Sequence, residues 1–170
     1  MSDSPKSPVR VLVAVVSHGR SKTLEELARS VSDILRTENF HIVRNVVAQG
    51  EPQYIEQLVS NVSNDNEADA IVMVGGTGFG PRDNTCEAIN AFVERRIEGF
   101  GEAYRKLLLG PRAMLSRAAA GVYNRCLVFA LTGRPSDVMR AVRDLIVPAL
   151  PDAVELATGR ARTYDARDDV

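Results

Sequence analysis

The residue types best suited to chemistry in this chain lie in one run, Gly75-Gly76-Thr77-Gly78-Phe79-Gly80-Pro81-Arg82-Asp83-Asn84-Thr85. Four glycines in six positions let the backbone approach a ligand closely and turn its N–H groups inward. A helix starting just after them adds the positive end of a dipole, which favours a phosphate or carboxylate. Thr77 offers a hydroxyl, and Arg82 offers a forked cation that matches phosphate. Asp83 is suited to magnesium, which takes one or two carboxylates together with phosphate oxygens. The same residues also read as a glycine-rich turn in which Asp83 or Asn84 caps the helix, and Asn84 with Glu87 has capping-box spacing. The run is not a P-loop, because no Gly-Lys-Ser/Thr follows. Nor is it a dinucleotide fingerprint, because Pro81 stands where the last glycine belongs.

Such a loop needs a rigid strand before it and a helix after it, and the surrounding pattern supplies both. Ala70–Val74 reads A-I-V-M-V, a strand covered on both faces, and runs straight into Gly75. A helix is expected from about Thr85, with Ala88, Ile89, Phe92 and Val93 inward. Upstream, Val9–Val16 is a β-branched strand. Thr23 with Glu26 carries the capping-box signature of a helix, and Leu24, Leu27, Ala28, Val31, Ile34 and Leu35 mark its buried face. Ile42–Val47 reads as a second strand, and Pro52 as the start of a second helix. Asn61–Asp69 is polar and reads as a turn. Cys126–Leu131 is a later strand, leading through Thr132-Gly133-Arg134-Pro135 into a helix carrying Val138, Ala141, Val142, Leu145 and Ile146. Pro148 and Pro151 are expected to punctuate the exit into a last short helix. This alternation implies an α/β fold with a mostly parallel central sheet and helices on both faces. Ligands in such sheets sit beyond the carboxyl ends of the strands.

The 170 residues suit one domain, expected over residues 9–158 after a disordered leader at 1–8 and before a frayed tail at 159–170. A formal net charge of −1 gives no broad attraction to nucleic acid or membranes, so an anionic ligand must be held by local donors. No stretch reaches the roughly 20 apolar residues of a membrane span, and the polar stretch Met1 to Pro8 lacks the apolar core of a signal peptide, so a cytoplasmic protein is expected. Cys86 and Cys126 are far apart and read as buried thiols. Cys86, at a helix start, has the alternative of a lowered thiol pKa.

The segment G-G-T-G-F-G-P-R-D-N-T-C-E-A resembles the motif G-G-T-G-x-x-x-R-D-x-T-P-E-A of the MoaB/Mog molybdopterin-binding family. Glu98-Gly99-Phe100-Gly101-Glu102 resembles the family's P-G-F-G-E. Leu115-Ser116-Arg117-Ala118 with Ala120-Gly121-Val122 resembles S-R-A-x-A-G, and Leu131-Thr132-Gly133-Arg134-Pro135 resembles L-P-G-x-P. The resemblance covers roughly Val9 to Leu150 in order and spacing. It implies a three-layer α/β sandwich, assembled as a homotrimer or a hexamer. It also implies transfer of AMP from MgATP to the terminal phosphate of molybdopterin, so the partners are a small-molecule pterin and a nucleotide. Asp83 would then serve catalysis on the magnesium–nucleotide side. Gly75, Gly76, Thr77, Gly78, Arg82, Ser116, Gly133 and Pro135 would line the pterin and phosphate pocket.

Several positions depart from the family pattern. Where active members carry a Pro-Asp pair after the second strand, this chain reads Ala48-Gln49-Gly50-Glu51. Where they read S-D-S/T-R, it has Ser17-His18-Gly19-Arg20, with no acid. A histidine does not replace a carboxylate at a metal, so His18 reads as a loop or phosphate contact. Cys86 and Thr132 replace prolines. These departures support an alternative, a non-catalytic member that binds a pterin or nucleotide as carrier, sensor or assembly partner. A further alternative makes Tyr104, Leu107, Leu108 and Leu109 a subunit interface around a vestigial site.

Overall fold

The computed structural model describes residues 7–108, 110–132 and 134–159. The expected leader apart from Ser7 and Pro8, Leu109, the candidate ligand residue Gly133, and the tail beyond Gly159 lie outside them.

One six-stranded sheet organises the chain in the order β2-β1-β3-β6-β5-β4. Strands β1 (Arg10–Val16), β2 (His41–Ala48), β3 (Ala70–Val74) and β6 (Cys126–Leu131) are parallel. The β1 and β3 strands at the centre are buried on both faces, as their β-branched runs demand. Alternate residues of β1 feed two separate cores. Val11, Val13 and Val15 pack with Leu27, Val31 and Leu35 of α1 (Lys22–Thr37), and with Val138 of α5 (Pro135–Ala141) and Leu150 of α6 (Val147–Thr158). Leu12, Ala14 and Val16 pack with Ile55, Val59 and Val62 of α2 (Pro52–Asn64) and with Ile89 of α3 (Thr85–Phe92). The result is the mostly parallel sheet with helices on both faces expected from the alternation of elements, and the three-layer α/β sandwich that the family resemblance implies.

On one side a single strand runs the other way: β5 (Ala119–Tyr123) pairs antiparallel with β6, and the two-residue edge strand β4 (Arg95–Arg96), antiparallel to β5, returns to the direction of the parallel strands. Neither is marked by periodicity, since β5 reads A-A-G-V-Y and β4 is a pair of arginines. Both sheet edges are blunted with charge, through exposed Arg95 and Arg96 on one side and the Arg44–Glu67 ion pair beside β2 on the other. Between β4 and β5 lie α4 (Glu98–Leu107) and a 3₁₀ turn at Pro111–Leu115. Tyr104 of α4 is fully buried in the core, and Leu107 and Leu108 pack against it. This corrects the interface alternative for Tyr104, which one chain already buries completely, while Leu107 and Leu108 are half-buried.

Helix α2 runs to Asn64, into the stretch expected as a turn, and two other helix boundaries differ from expectation for local reasons. Helix α1 starts two residues early because Ser21, not Thr23, is its cap, with the Ser21 hydroxyl accepting from the Leu24 N–H at 3.4 Å. The C-terminal helices do not stop at Pro148 or Pro151; a π-turn at Val142–Ile146 joins α5 to α6. In that turn the Val147 N–H reaches back to the Val142 carbonyl, which carries the helix into a stretch where Pro148 has no N–H to give. No described helix is long and apolar enough to cross a membrane.

Candidate functional site

The chain passes from β1 to β2 on one side of β1 and then to β3 on the other. The loops leaving β1 and β3 therefore flank a crevice at a reversal of strand order, where open α/β sheets bind ligands. The β3 loop is the glycine-rich run, and its first turn is built by backbone demands. Gly75 has φ +103° and Gly76 has φ +67°, conformations that favour glycine. The Gly75 N–H donates to the Leu131 carbonyl at 3.2 Å, anchoring the turn to β6. Thr85 then closes the loop, its hydroxyl donating to the Gly75 carbonyl at 2.9 Å and its N–H to the Gly76 carbonyl at 3.0 Å. Read from the sequence only as a helix start, Thr85 is a fully buried clasp.

The distal half is held by a carboxylate and a guanidinium. Asp83 Oδ2 accepts from the Gly80 N–H at 2.9 Å. The bare Cα atoms of Gly78 and Gly80 are needed here, since a Cβ would stand 2.6 and 2.7 Å from that oxygen. Arg117, arriving from just before β5, donates to the carbonyls of Thr77 at 3.4 Å, Gly78 at 2.6 Å and Asp83 at 3.0 Å. It also forms a forked ion pair with Glu87 of α3. Glu87 thus serves Arg117, and Asn84 makes no side-chain cap, so the expected capping box is not formed. The hydrogen bond from Arg117 holds the Glu87 carboxyl below its ordinary value, and the same bond raises the guanidinium.

The remaining expected ligand residues are placed as follows. Thr77 is 7% exposed, and its hydroxyl donates to the Leu131 carbonyl at 3.4 Å. Arg82 is exposed, and its guanidinium has no ion-pair partner among the described residues. The Ser116 hydroxyl accepts from the Ala118 N–H at 3.4 Å, and Pro135 is exposed at the start of α5. Arg117 itself, read as the second residue of the S-R-A segment, becomes the hub of the site. Its spacing to Glu87, 30 residues away, gave no sequence signal.

The β1 and β2 loops contribute an unexpected pair. His18 Nε2 lies 2.7 Å from the Arg82 carbonyl, which can only accept, so this nitrogen carries a hydrogen. Nδ1 faces Glu51 Oε1 at 3.4 Å, and the ring lies against Gly50, where a Cβ would stand 2.4 Å from Nε2. Glu51 Oε2 is buried with no donor among the described residues. His18 therefore bridges the crevice as a loop contact, and Glu51 serves it. No three His, Cys, Asp or Glu side chains among the described residues gather to hold a metal. Asp83 is the one carboxylate in the glycine loop, and one carboxylate with phosphate oxygens is a donor set that magnesium accepts.

Beside the loop, on the far side of Arg117, opens a cleft of about 580 Å³. It is lined by Cys86 and Glu87 from the first resembling segment, Glu98 and Gly101 from the second, and Arg117, Ala118 and Ala120 from the third. Segments distant in sequence thus share one concavity of ordinary ligand-pocket size. Arg96 and Arg105 add positive charge to its rim. Cys86 is 3% exposed, and burial pushes its thiol up to about 12, against the small opposing influence of Arg117. The alternative of a lowered thiol pKa is thereby corrected, because desolvation outweighs the helix start. Cys126 is likewise buried and pushed up to about 12. Neither thiol is expected to react with an aromatic disulfide reagent in the native protein at pH 8, and both should react at once in denaturant. Rapid native labelling of either would contradict this burial.

The sequence matches the family described as a probable molybdopterin binding domain over residues 13–152. It is 31% identical over 154 residues to molybdenum cofactor biosynthesis protein B of Staphylococcus epidermidis, covering 86% of this chain and 88% of that one. It is 32% identical over 150 residues to the Bacillus subtilis protein of the same name, with 86% and 88% covered. Among solved structures, a molybdenum cofactor biosynthesis protein B superposes with a TM-score of 0.85 at 28% identity, over 92% of this chain and 99% of that one. The molybdopterin biosynthesis enzyme MoaB of Thermus thermophilus superposes with a TM-score of 0.76 at 32% identity, over 89% and 97%. With sequence, fold and the shared cleft in agreement, the chain belongs to the MoaB/Mog family of molybdopterin-binding proteins and is a MoaB-like protein of molybdenum cofactor biosynthesis.

Proposed function

We propose that this protein transfers AMP from MgATP to the terminal phosphate of molybdopterin. The observation that carries the reading is the meeting of three motif segments around one cleft, joined through Arg117 to a glycine loop at the carboxyl end of β3. In the reaction an oxygen of the pterin phosphate attacks the α-phosphorus of ATP. The bond from that phosphorus to the β-phosphate bridging oxygen breaks, and pyrophosphate leaves with the electron pair. Two anions must meet, so catalysis consists mostly of positioning and charge neutralisation. Asp83 would hold Mg²⁺, which supplies charge neutralisation between phosphates. The exposed Arg82 offers a bidentate partner to a phosphate, and Arg117 fixes the loop that the phosphates approach. The cleft would take the pterin.

The test is incubation of purified protein with MgATP and molybdopterin, following formation of the adenylylated pterin and pyrophosphate. Asp83→Ala is expected to lower the transfer rate about 30-fold, as loss of a metal-site group does. It should leave the melting temperature within a few degrees, because only one hydrogen bond, to Gly80, is lost. Absence of transfer by the wild-type protein, beside a family enzyme that turns over, would reject the reading.

A second reading, ligand binding without turnover, is favoured by the loops after β1 and β2. There His18 and Gln49 stand where active relatives are expected to carry acids, and the nearby Glu51 faces His18. Calorimetry separates the two: pterin binding with no AMP transfer supports the carrier. Assembly as a homotrimer or hexamer belongs to the same proposal, and sedimentation of the full chain tests it.

A further inference from the structure

Phe79 lies in the middle of the glycine loop with 66% of its surface exposed, and it belongs to neither hydrophobic core. Burial therefore does not account for an aromatic ring at this position. The Arg117 guanidinium carbon sits 5.5 Å from the ring centroid, a cation–π contact on one face. That guanidinium is fixed by Glu87 and by the carbonyls of Thr77, Gly78 and Asp83, so the ring has a rigid backing. Gly78 and Gly80 flank it without side chains. The exposed ring surface stands beside the backbone that would receive a phosphate.

We propose that Phe79 is a stacking platform that selects ligands carrying a planar nitrogen heterocycle, pterin or adenine, whose phosphate the same loop receives. This rests on the reading that the glycine loop binds phosphate. A flat ring laid on an aromatic side chain contributes affinity whatever its hydrogen-bonding edge, which suits a loop that must accept a heterocycle by its face. Arg117 has two duties under this proposal, because it fixes the phosphate-binding backbone and the ring together.

The chain has no tryptophan, so Phe79→Trp in the full-length protein creates a single fluorescent reporter at the proposed platform. AMP, a pterin monophosphate, ribose 5-phosphate and pyrophosphate are titrated into this variant by fluorescence, and into wild type, Phe79→Leu and Phe79→Ala by calorimetry. The two ring ligands are expected to quench Trp saturably and to bind Phe79→Ala and Phe79→Leu about ten-fold more weakly than wild type. The two ring-free anions should leave the emission unchanged and bind all variants alike. A response to one ring ligand only supports the platform and identifies its heterocycle. Ring ligands that bind the Leu and Ala variants as tightly as wild type overturn the proposal while leaving phosphate binding intact, as does calorimetric binding with silent fluorescence. A change in sedimenting mass without a change in ring discrimination also overturns it, making Phe79 a self-association contact. If none of the four ligands binds wild type, the phosphate reading itself has failed, and the platform with it.

Discussion

Arg117→Ala is expected to weaken binding of a phosphate-bearing ligand at the glycine loop by about 100-fold. The expectation follows from what one side chain holds. Its guanidinium ties the carbonyls of Thr77, Gly78 and Asp83 to one point and links them to Glu87 on α3. Without it the three carbonyls turn toward water, and the backbone that would receive a phosphate loses the side chain that fixes it. A misplacement of about 1 Å in such a site is enough for a loss of that size. Lysine should not rescue it, because an ammonium on a flexible stem cannot satisfy three carbonyls and a carboxylate in one plane. Stability should fall as well, by about 2 kcal/mol, the usual range for hydrogen bonds to a charged group. In a chain of this length that corresponds to roughly 4–8 °C of melting temperature. Calorimetric titration with pyrophosphate and a thermal melt read the two effects separately. If Arg117→Lys binds like wild type, the forked geometry is not what matters.

The pH dependence of this clasp has a definite sign. Glu87 is held below its ordinary value in the folded protein, chiefly by the hydrogen bond from Arg117. A depressed carboxylate stabilises the fold fully above its unfolded pKa of about 4.3, and the contribution disappears as pH falls through the lower folded value. The Glu87 side chain is 53% exposed, so solvent screening keeps the contribution below about 1 kcal/mol. The difference in stability between wild type and Glu87→Gln should therefore be flat from pH 5 to 8 and shrink toward pH 3.

What the sequence disclosed and what it withheld divide along physical lines. The central strands were legible because Val11–Val16 and Ala70–Val74 are buried on both faces, and only continuous β-branched runs satisfy that. The glycine loop was legible because its first turn needs positive φ at two successive positions, which leaves little choice of residue. The β4 and β5 strands were not legible. Two exposed arginines and a run of small residues carry no period, and their pairing with β6 is decided by tertiary contact. The π-turn that carries α5 into α6 was hidden for the same reason, since proline rules describe a regular helix and not one that changes its hydrogen-bond frame. At the site, loop backbone chemistry could be read, but partnerships could not. Thr85 with Gly75, Arg117 with Glu87 and His18 with Arg82 join residues 10, 30 and 64 positions apart, and no local pattern encodes such distances.

Two glycines of the loop, Gly75 in its first turn and Gly78 beside Asp83, separate folding from function. Gly75 has φ +103°, and a Cβ there would stand 2.6 Å from the Val16 carbonyl oxygen. That oxygen belongs to the backbone at the end of the fully buried β1, so it cannot swing aside as a side chain would. Gly75→Ala must therefore bear both an unfavourable backbone conformation and a clash at the centre of the sheet. Each contributes about 1–3 kcal/mol, for a total of about 4 kcal/mol and a melting temperature lower by roughly 8–16 °C. Gly78 differs on both counts. Its φ is not positive, and the atom its Cβ would meet, at 2.6 Å, is Asp83 Oδ2, the end of a side chain. Gly78→Ala should push the Asp83 carboxylate off the Gly80 N–H at a cost of about 1 kcal/mol, the value of one such hydrogen bond. Its effect on phosphate binding should then exceed its effect on stability, the reverse of Gly75→Ala. Thermal melts and pyrophosphate titrations of the two variants decide the matter. Should Gly78→Ala melt as low as Gly75→Ala, the distal half of the loop is part of the folding core, and Asp83 is a structural cap whose carboxylate is not free to serve a ligand.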